Sequence, residues 1–172
     1  MTVDIAKASA LVFLAAIVQV TVLFDVDVLH GAPDLVLVVL VAVALLRGTI
    51  YGAAAGFGAG LILDTATLQT LGLSSLLLTI AGYWIGRYGE TTGRDRSHAP
   101  FVSVAVVTVL YSIGALVLHY MLGDPASAHR ALVDALPISL LFNLVLTLPV
   151  YALCRRLFRP AATGLEEVRL LG

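Results

Sequence analysis

The sequence predicts an all-α integral membrane protein, a single domain built as a six-transmembrane-helix bundle. Of its 172 residues, 60 % are hydrophobic and 12 % are charged, and the mean hydropathy is +1.02. A soluble domain usually carries about 25 % charged residues. Too few charges remain to cover a water-exposed surface, so we expect lipid to surround most of the chain.

Polar breaks divide the apolar sequence into six segments, which we interpret as spans. A helix needs roughly 20 residues to cross the hydrocarbon core of a bilayer. The predicted spans cover residues 5–24, 34–46, 49–64, 71–87, 101–122 and 135–157. The first span is longer than the apolar region of a secretory signal and lacks a small-residue cleavage site, so we expect it to be retained.

The second span is short, because Leu35 to Leu46 gives only about 18 Å of helix against roughly 30 Å of hydrocarbon. Either spans two and three form a hairpin around Arg47-Gly48, or residues 35–64 form one long helix. Six spans place nine of the ten Lys and Arg residues on one side, whereas five spans place seven there and leave Arg47 inside the bilayer. The positive-inside rule therefore predicts six spans with both termini cytoplasmic.

The third span carries small residues at a four-residue interval, Gly52, Gly56 and Gly60, and Asp64 continues the series. Successive members lie within about 40° of one another around a helix. Such a stripe lets two helix backbones approach closely. We favour a contact within the bundle over a contact with a helix of another protein. For Asp64, near the outer boundary where water could reach it, we favour a structural or partner-anchoring role over an ion or ligand role.

The last three spans add a second small-residue pair and a polar strip. Span four contains Gly82-x-x-x-Gly86, which is suited to close helix packing. Span six carries Asn143, with Ser139 and Thr147 four residues to either side. Polar side chains in membrane helices commonly form hydrogen bonds between helices. We interpret Asn143 as part of a helix-packing contact rather than a substrate site.

Motifs for catalysis and metal binding are missing from the sequence. It contains no Gly-x-Ser-x-Gly elbow, no His-Glu-x-x-His helix and no P-loop. Its four histidines show no pair at zinc-binding spacing, and Cys154 is the only cysteine. We therefore predict no enzymatic activity, no cofactor and no metal site.

An ordered set of residues runs through the whole chain. It consists of Gln19, Pro33-Asp34-Leu35, Gly56-Phe57-x-x-Gly60-Leu-x-x-Asp64, Leu71-Gly72, and Asn143 with Pro149. Together with the length and the six apolar segments, this set resembles the bacterial rod shape-determining protein MreD family. The positions carried over from the family motif are Pro33, Asp34, Gly56, Gly60 and Asp64.

The resemblance implies a non-enzymatic subunit of the cell-elongation machinery in the bacterial cytoplasmic membrane, supporting peptidoglycan synthesis and cell-shape control. Such a subunit would bind MreC and, through it, MreB, and would be coupled to the RodA glycosyltransferase and its class B penicillin-binding transpeptidase. Membrane lipid is a further expected partner and nucleic acid is not.

The family is similar in fold to the substrate-binding subunits of energy-coupling-factor vitamin transporters, and such a subunit is the alternative function. A transporter subunit needs polar and aromatic groups clustered around an enclosed pocket. The intramembrane polar residues of this chain are scattered along the sequence, and Trp84 is its only tryptophan. These features favour the scaffold.

Overall fold

The computed structural model describes residues 2–23, 32–68, 70–93, 98–123 and 129–158. These residues form six α-helices: α1 (Thr2–Val18), α2 (Leu35–Arg47), α3 (Thr49–Ala66), α4 (Leu73–Tyr88), α5 (Ala99–Met121) and α6 (Leu136–Leu157). Short π-helical turns follow α1 at Gln19–Leu23, follow α4 at Gly89–Gly93 and precede α6 at Arg130–Ala135. The described ranges contain no strand, which confirms the all-α prediction.

Gly48 separates α2 from α3. It has a φ of 91°, in the left-handed region that glycine adopts without steric cost. A β-carbon at this position would also collide with the side chain of Glu90. Because α2 ends at Arg47 and α3 begins at Thr49, the alternative of one long helix over residues 35–64 is wrong.

Two helical segments within the described residues are long and apolar enough to cross a membrane, Ala99–Met121 and Leu132–Leu157. The other helices are shorter or less apolar; α2 has 13 residues and α4 has 16. These features are consistent with a membrane protein, and the count of six membrane spans stays a prediction.

Helix α2 lies at the centre of the bundle. All ten residues from Val36 to Leu45 are buried, and α2 contacts each of the other five helices. A helix that is apolar on every side is expected to be surrounded by other parts of the protein or by lipid. Here the neighbours are helices. At 13 residues α2 is about 20 Å long, which is shorter than the hydrocarbon core is thick.

Basic residues collect at the end of the bundle where α2 finishes. The Lys7 ammonium donates to the carbonyl oxygen of Leu157 at 3.3 Å, and the Arg47 guanidinium lies 5.1 Å from the ring centroid of Phe158. The start of α1 and the ends of α2 and α6 therefore meet here. The same end carries Arg87, Arg155 and Arg156; Arg94, Arg96, Arg159 and Arg169 lie outside the described residues.

Candidate functional site

The opposite end of α2 begins inside the protein, at Pro33 and Asp34. The first four amides of a helix have no partner within the helix, and burial makes an unpaired amide costly. Asp34 is the N-cap residue, and its carboxylate accepts a hydrogen bond from the Leu37 amide at 2.9 Å. Its carbonyl oxygen accepts one from the Val38 amide at 3.2 Å. Asp34 thus satisfies part of the start of the core helix.

Two residues from other helices complete this cap. The Gln19 side-chain oxygen, in the turn after α1, accepts from the Val36 amide at 2.8 Å. The Asn143 side-chain oxygen, on α6, accepts from the Asp34 amide at 2.8 Å. Residues 19, 34 and 143 are far apart in sequence and meet at one helix start. We call Gln19, Asp34 and Asn143 the α2 cap.

Asn143 is also bonded on its other side. It is fully buried, and its amide nitrogen donates to the Thr108 hydroxyl on α5 at 3.1 Å. Thr147, one turn further along α6, donates its hydroxyl to the Asn143 carbonyl at 2.6 Å. The Asn143 side chain therefore joins α6 to both α2 and α5. Ser139, the other outer member of the polar strip predicted on span six, is only partly buried.

Asp64 caps a different helix. Its carboxylate accepts from the Gly72 amide at 2.8 Å and from the Ser74 amide at 3.2 Å, at the start of α4. Gly72 adopts a left-handed conformation with a φ of 93°, which turns the chain into α4. Asp64 is 1 % exposed, so amides take the place of the water that the sequence led us to expect around it. A carboxylate is also favoured electrostatically near the positive end of a helix.

Tyr111, on α5, contacts the start of α4. Its hydroxyl lies 3.3 Å from the Ser74 hydroxyl, next to the Asp64 carboxylate. Thr108, one turn earlier on the same helix, bonds to Asn143 of the α2 cap. Helix α5 therefore links the start of α2 to the start of α4.

The glycine stripe of α3 lies against α4, and these two helices share the most extensive contact in the bundle. A β-carbon at Gly52 would overlap the Gly82 carbonyl, and one at Gly60 would overlap the backbone of Ser75. Gly56 meets the backbone of Leu78 in the same way. The Ser75 hydroxyl adds a hydrogen bond to the Phe57 carbonyl at 2.8 Å.

Gly58 lies off this contact. Nothing lies within 4 Å of the position that its β-carbon would occupy. The close approach of α3 and α4 thus involves the four-residue series Gly52, Gly56 and Gly60 and does not involve the neighbouring glycine.

Glu90 caps α3 at the basic end. Its carboxylate accepts from the Thr49 amide at 2.8 Å and from the Thr49 hydroxyl at 2.7 Å. The Arg87 guanidinium lies 4.0 Å from the same carboxylate. Each of the three carboxylates Asp34, Asp64 and Glu90 therefore accepts hydrogen bonds at the start of a helix.

The hydrogen bonds at these sites connect helix ends to neighbouring helices. Their polar atoms bond to backbone amides or to each other, and Ser74 and Ser75, the hydroxyls near the start of span four, bond to Tyr111 and Phe57. Among the described residues, no group of three His, Cys, Asp or Glu side chains is placed to hold a metal ion. The arrangement can fix helix ends and helix spacing inside an apolar bundle.

Sequence reasoning missed three members of these contacts: Thr108, Tyr111 and Glu90. Thr108 and Tyr111 are polar residues in an apolar span, which was the available signal, but their partners lie on other helices. The signal for Glu90 was weaker, because it lies in a polar turn where a carboxylate is unremarkable.

Comparison with known proteins identifies one family. The family described as rod shape-determining protein MreD matches residues 5–157, which is most of the chain. No curated protein and no solved structure gives a significant match.

Proposed function

Because this chain belongs to the MreD family, membrane proteins of the shape-determining MreBCD system, we propose that it is a non-enzymatic scaffold subunit of the rod-shape machinery. A role in rod-shape determination follows from the family. The proposal goes further: the subunit binds an MreC-like protein in the bacterial cytoplasmic membrane and so supports peptidoglycan synthesis.

The observation that carries this proposal is the use of the motif residues inside the bundle. Asp34, Asn143 and Asp64 bond to helix starts, and Gly56 and Gly60 lie against α4. Because these motif residues hold helices together inside the bundle, contacts with other proteins would be made by residues on its outer surface. Close packing of this kind suits a scaffold, because it holds the outer faces of the helices in fixed relative positions.

Further partners follow from the same proposal. Through the MreC-like protein the subunit connects to MreB, and in the membrane it lies near the RodA glycosyltransferase and its class B penicillin-binding transpeptidase. The vitamin-transporter alternative gains no support from the family match.

Affinity capture from native membranes tests the proposal. We expect an MreC-like protein to copurify with the tagged wild-type chain and with Gly58→Leu, whose β-carbon meets no neighbour. Gly60→Leu, which pushes α4 away from α3, should lose at least half of the captured partner at equal expression. Copurification of an energising transmembrane subunit with ATPases, or of a bound vitamin, would instead establish the transporter alternative.

A further inference from the structure

A cleft of about 430 Å³ lies between the first turn of α5 and the last turns of α6. Its walls are mostly apolar, and two arginines stand at one end. The lining consists of Pro100, Phe101, Thr147, Leu148, Tyr151, Ala152, Arg155 and Arg156. The volume is within the range of small-ligand sites.

The arginines and the deepest lining residue lie far apart along α6. Thr147 is buried and Arg155 is exposed, and their separation of eight positions corresponds to about 12 Å along a helix axis. The cleft therefore runs from a charged opening at the basic end to an apolar interior between two helices. This polarity matches that of a phospholipid lying along the protein.

Positive charge at the opening has two sources. Neither Arg155 nor Arg156 forms an ion pair with a carboxylate in the part of the chain that the structure describes. The start of α5 adds the positive end of a 23-residue helix, and the side chain of its N-cap residue, His98, does not cap it. An anionic group at the opening would be attracted by both.

We propose that this cleft binds an anionic phospholipid from the leaflet at the basic end of the bundle. The phosphate lies between Arg155 and Arg156, and one acyl chain follows the apolar wall toward Thr147. Basic pockets between membrane helices are a recognised site for acidic lipid head groups. The apolar part of the cleft distinguishes this site from a site for a free phosphate ion. A free ion would form no favourable contact with the apolar wall between the arginines and Thr147.

A second groove, between α1 and α3, has no charged lining residue and serves as a control for the effect of head-group charge. It is larger, about 630 Å³, and its lining residues include Val12, Phe13, Ala54 and Gly58 but no charged side chain. It offers an acyl chain an apolar surface without a contact for a charged head group. Lipid held there should not depend on head-group charge.

Native mass spectrometry of the detergent-purified protein tests the site with phosphatidylglycerol and phosphatidylcholine of identical acyl chains. We expect the wild type to retain one phosphatidylglycerol in preference to phosphatidylcholine. Arg155→Gln and Arg156→Gln should each weaken retention about fivefold, and the double variant about 25-fold. Arg87→Gln removes the same charge at the same end outside the cleft and should leave retention unchanged.

A steric variant separates the cleft from diffuse charge. Ala152→Trp fills the cleft without changing charge and should abolish retention, whereas Leu153→Trp, on the adjacent exposed position, should not. Equal retention of the two lipids, equal loss in Arg87→Gln, or displacement by glycerol phosphate at matched concentration would overturn the proposal. Because Arg155 and Arg156 are exposed, Arg155→Gln and Arg156→Gln are expected to keep the wild-type melting temperature. The melting temperature is measured for each variant beside the lipid retention.

Discussion

At the scale of single residues, three carboxylates in this protein cap the starts of helices. Asp34, Asp64 and Glu90 each accept from backbone amides that have no partner within their own helix. In an apolar interior an unpaired amide costs more than it does in water. The negative charge also matches the positive end of the helix dipole.

Asp64 allows this role to be tested by substitution. Asp64→Leu leaves the Gly72 and Ser74 amides unpaired, and we expect it to cost about 1–3 kcal/mol of stability. Asp64→Asn keeps one oxygen that can accept a hydrogen bond, so it should cost less. Thermal unfolding of the purified protein in one detergent measures both changes.

The control for this pair is Asp134→Leu, made at a half-exposed carboxylate that lies 4.0 Å from His129. It should change the melting temperature little, because no helix start depends on it in the described contacts. If Asp64→Asn is as damaging as Asp64→Leu, the negative charge rather than the hydrogen-bond acceptor is what the site requires.

At the scale of helices, the spacing of α3 and α4 depends on which glycine faces the neighbour. Gly60→Leu places a side chain into the backbone of Ser74 and Ser75 and should destabilise the bundle by about 3 kcal/mol or more. At Gly58 an added β-carbon meets nothing within 4 Å, and leucine replaces a residue of poor helix propensity, so Gly58→Leu should be neutral or slightly stabilising. Denaturant titration followed by circular dichroism compares the two variants.

Equal tolerance of both variants would contradict the close-packing role of the stripe. The comparison is well matched, because the two positions lie on the same helix two residues apart and receive the same side chain. It also separates helix propensity, which changes equally at both positions, from the contact with α4, which exists at only one.

The helices themselves could be predicted from the sequence because apolar length and polar breaks are local properties. The central place of α2 could not, because Leu and Val look the same whether lipid or other helices surround them. Its short length was the one signal, since about 20 Å of helix is hard to reconcile with lipid on all sides. Helix periodicity was enough to predict that Gly52, Gly56 and Gly60 share one face of α3. It could not identify α4 as the helix packed against that face, because this depends on tertiary packing.

At the scale of the whole molecule, the two ends of the bundle differ in charge. Lys7, Arg47 and Arg87 lie at one end with the last turn of α6, and Asp34 and Asp64 lie in the caps toward the other. The contact between Asp34 and Asn143 spans 109 positions in sequence, so no local pattern could have identified it. Only the folded arrangement brings Asn143 to the start of α2 and Asp64 to the start of α4.

The asymmetry of charge predicts the orientation of the bundle. Positively charged ends remain cytoplasmic, so the turn between α3 and α4 should face outward and the start of α5 inward. Thr70→Cys and His98→Cys place a reactive thiol at these exposed positions. The native Cys154 is fully buried, so the wild type serves as an unlabelled control.

In intact spheroplasts, a membrane-impermeant maleimide should label Thr70→Cys at once and His98→Cys only after permeabilisation. Both thiols lie in turns rather than in helix contacts, so a difference in labelling reports the side of the membrane and not burial. Labelling of His98→Cys but not Thr70→Cys from outside would mean the opposite orientation. Labelling of both from one side would mean that α4, the helix between the two positions, does not cross the membrane. The expected pattern would place the basic end, with the cleft between α5 and α6, at the cytoplasmic leaflet, where acidic lipids and cytoplasmic partners can reach it.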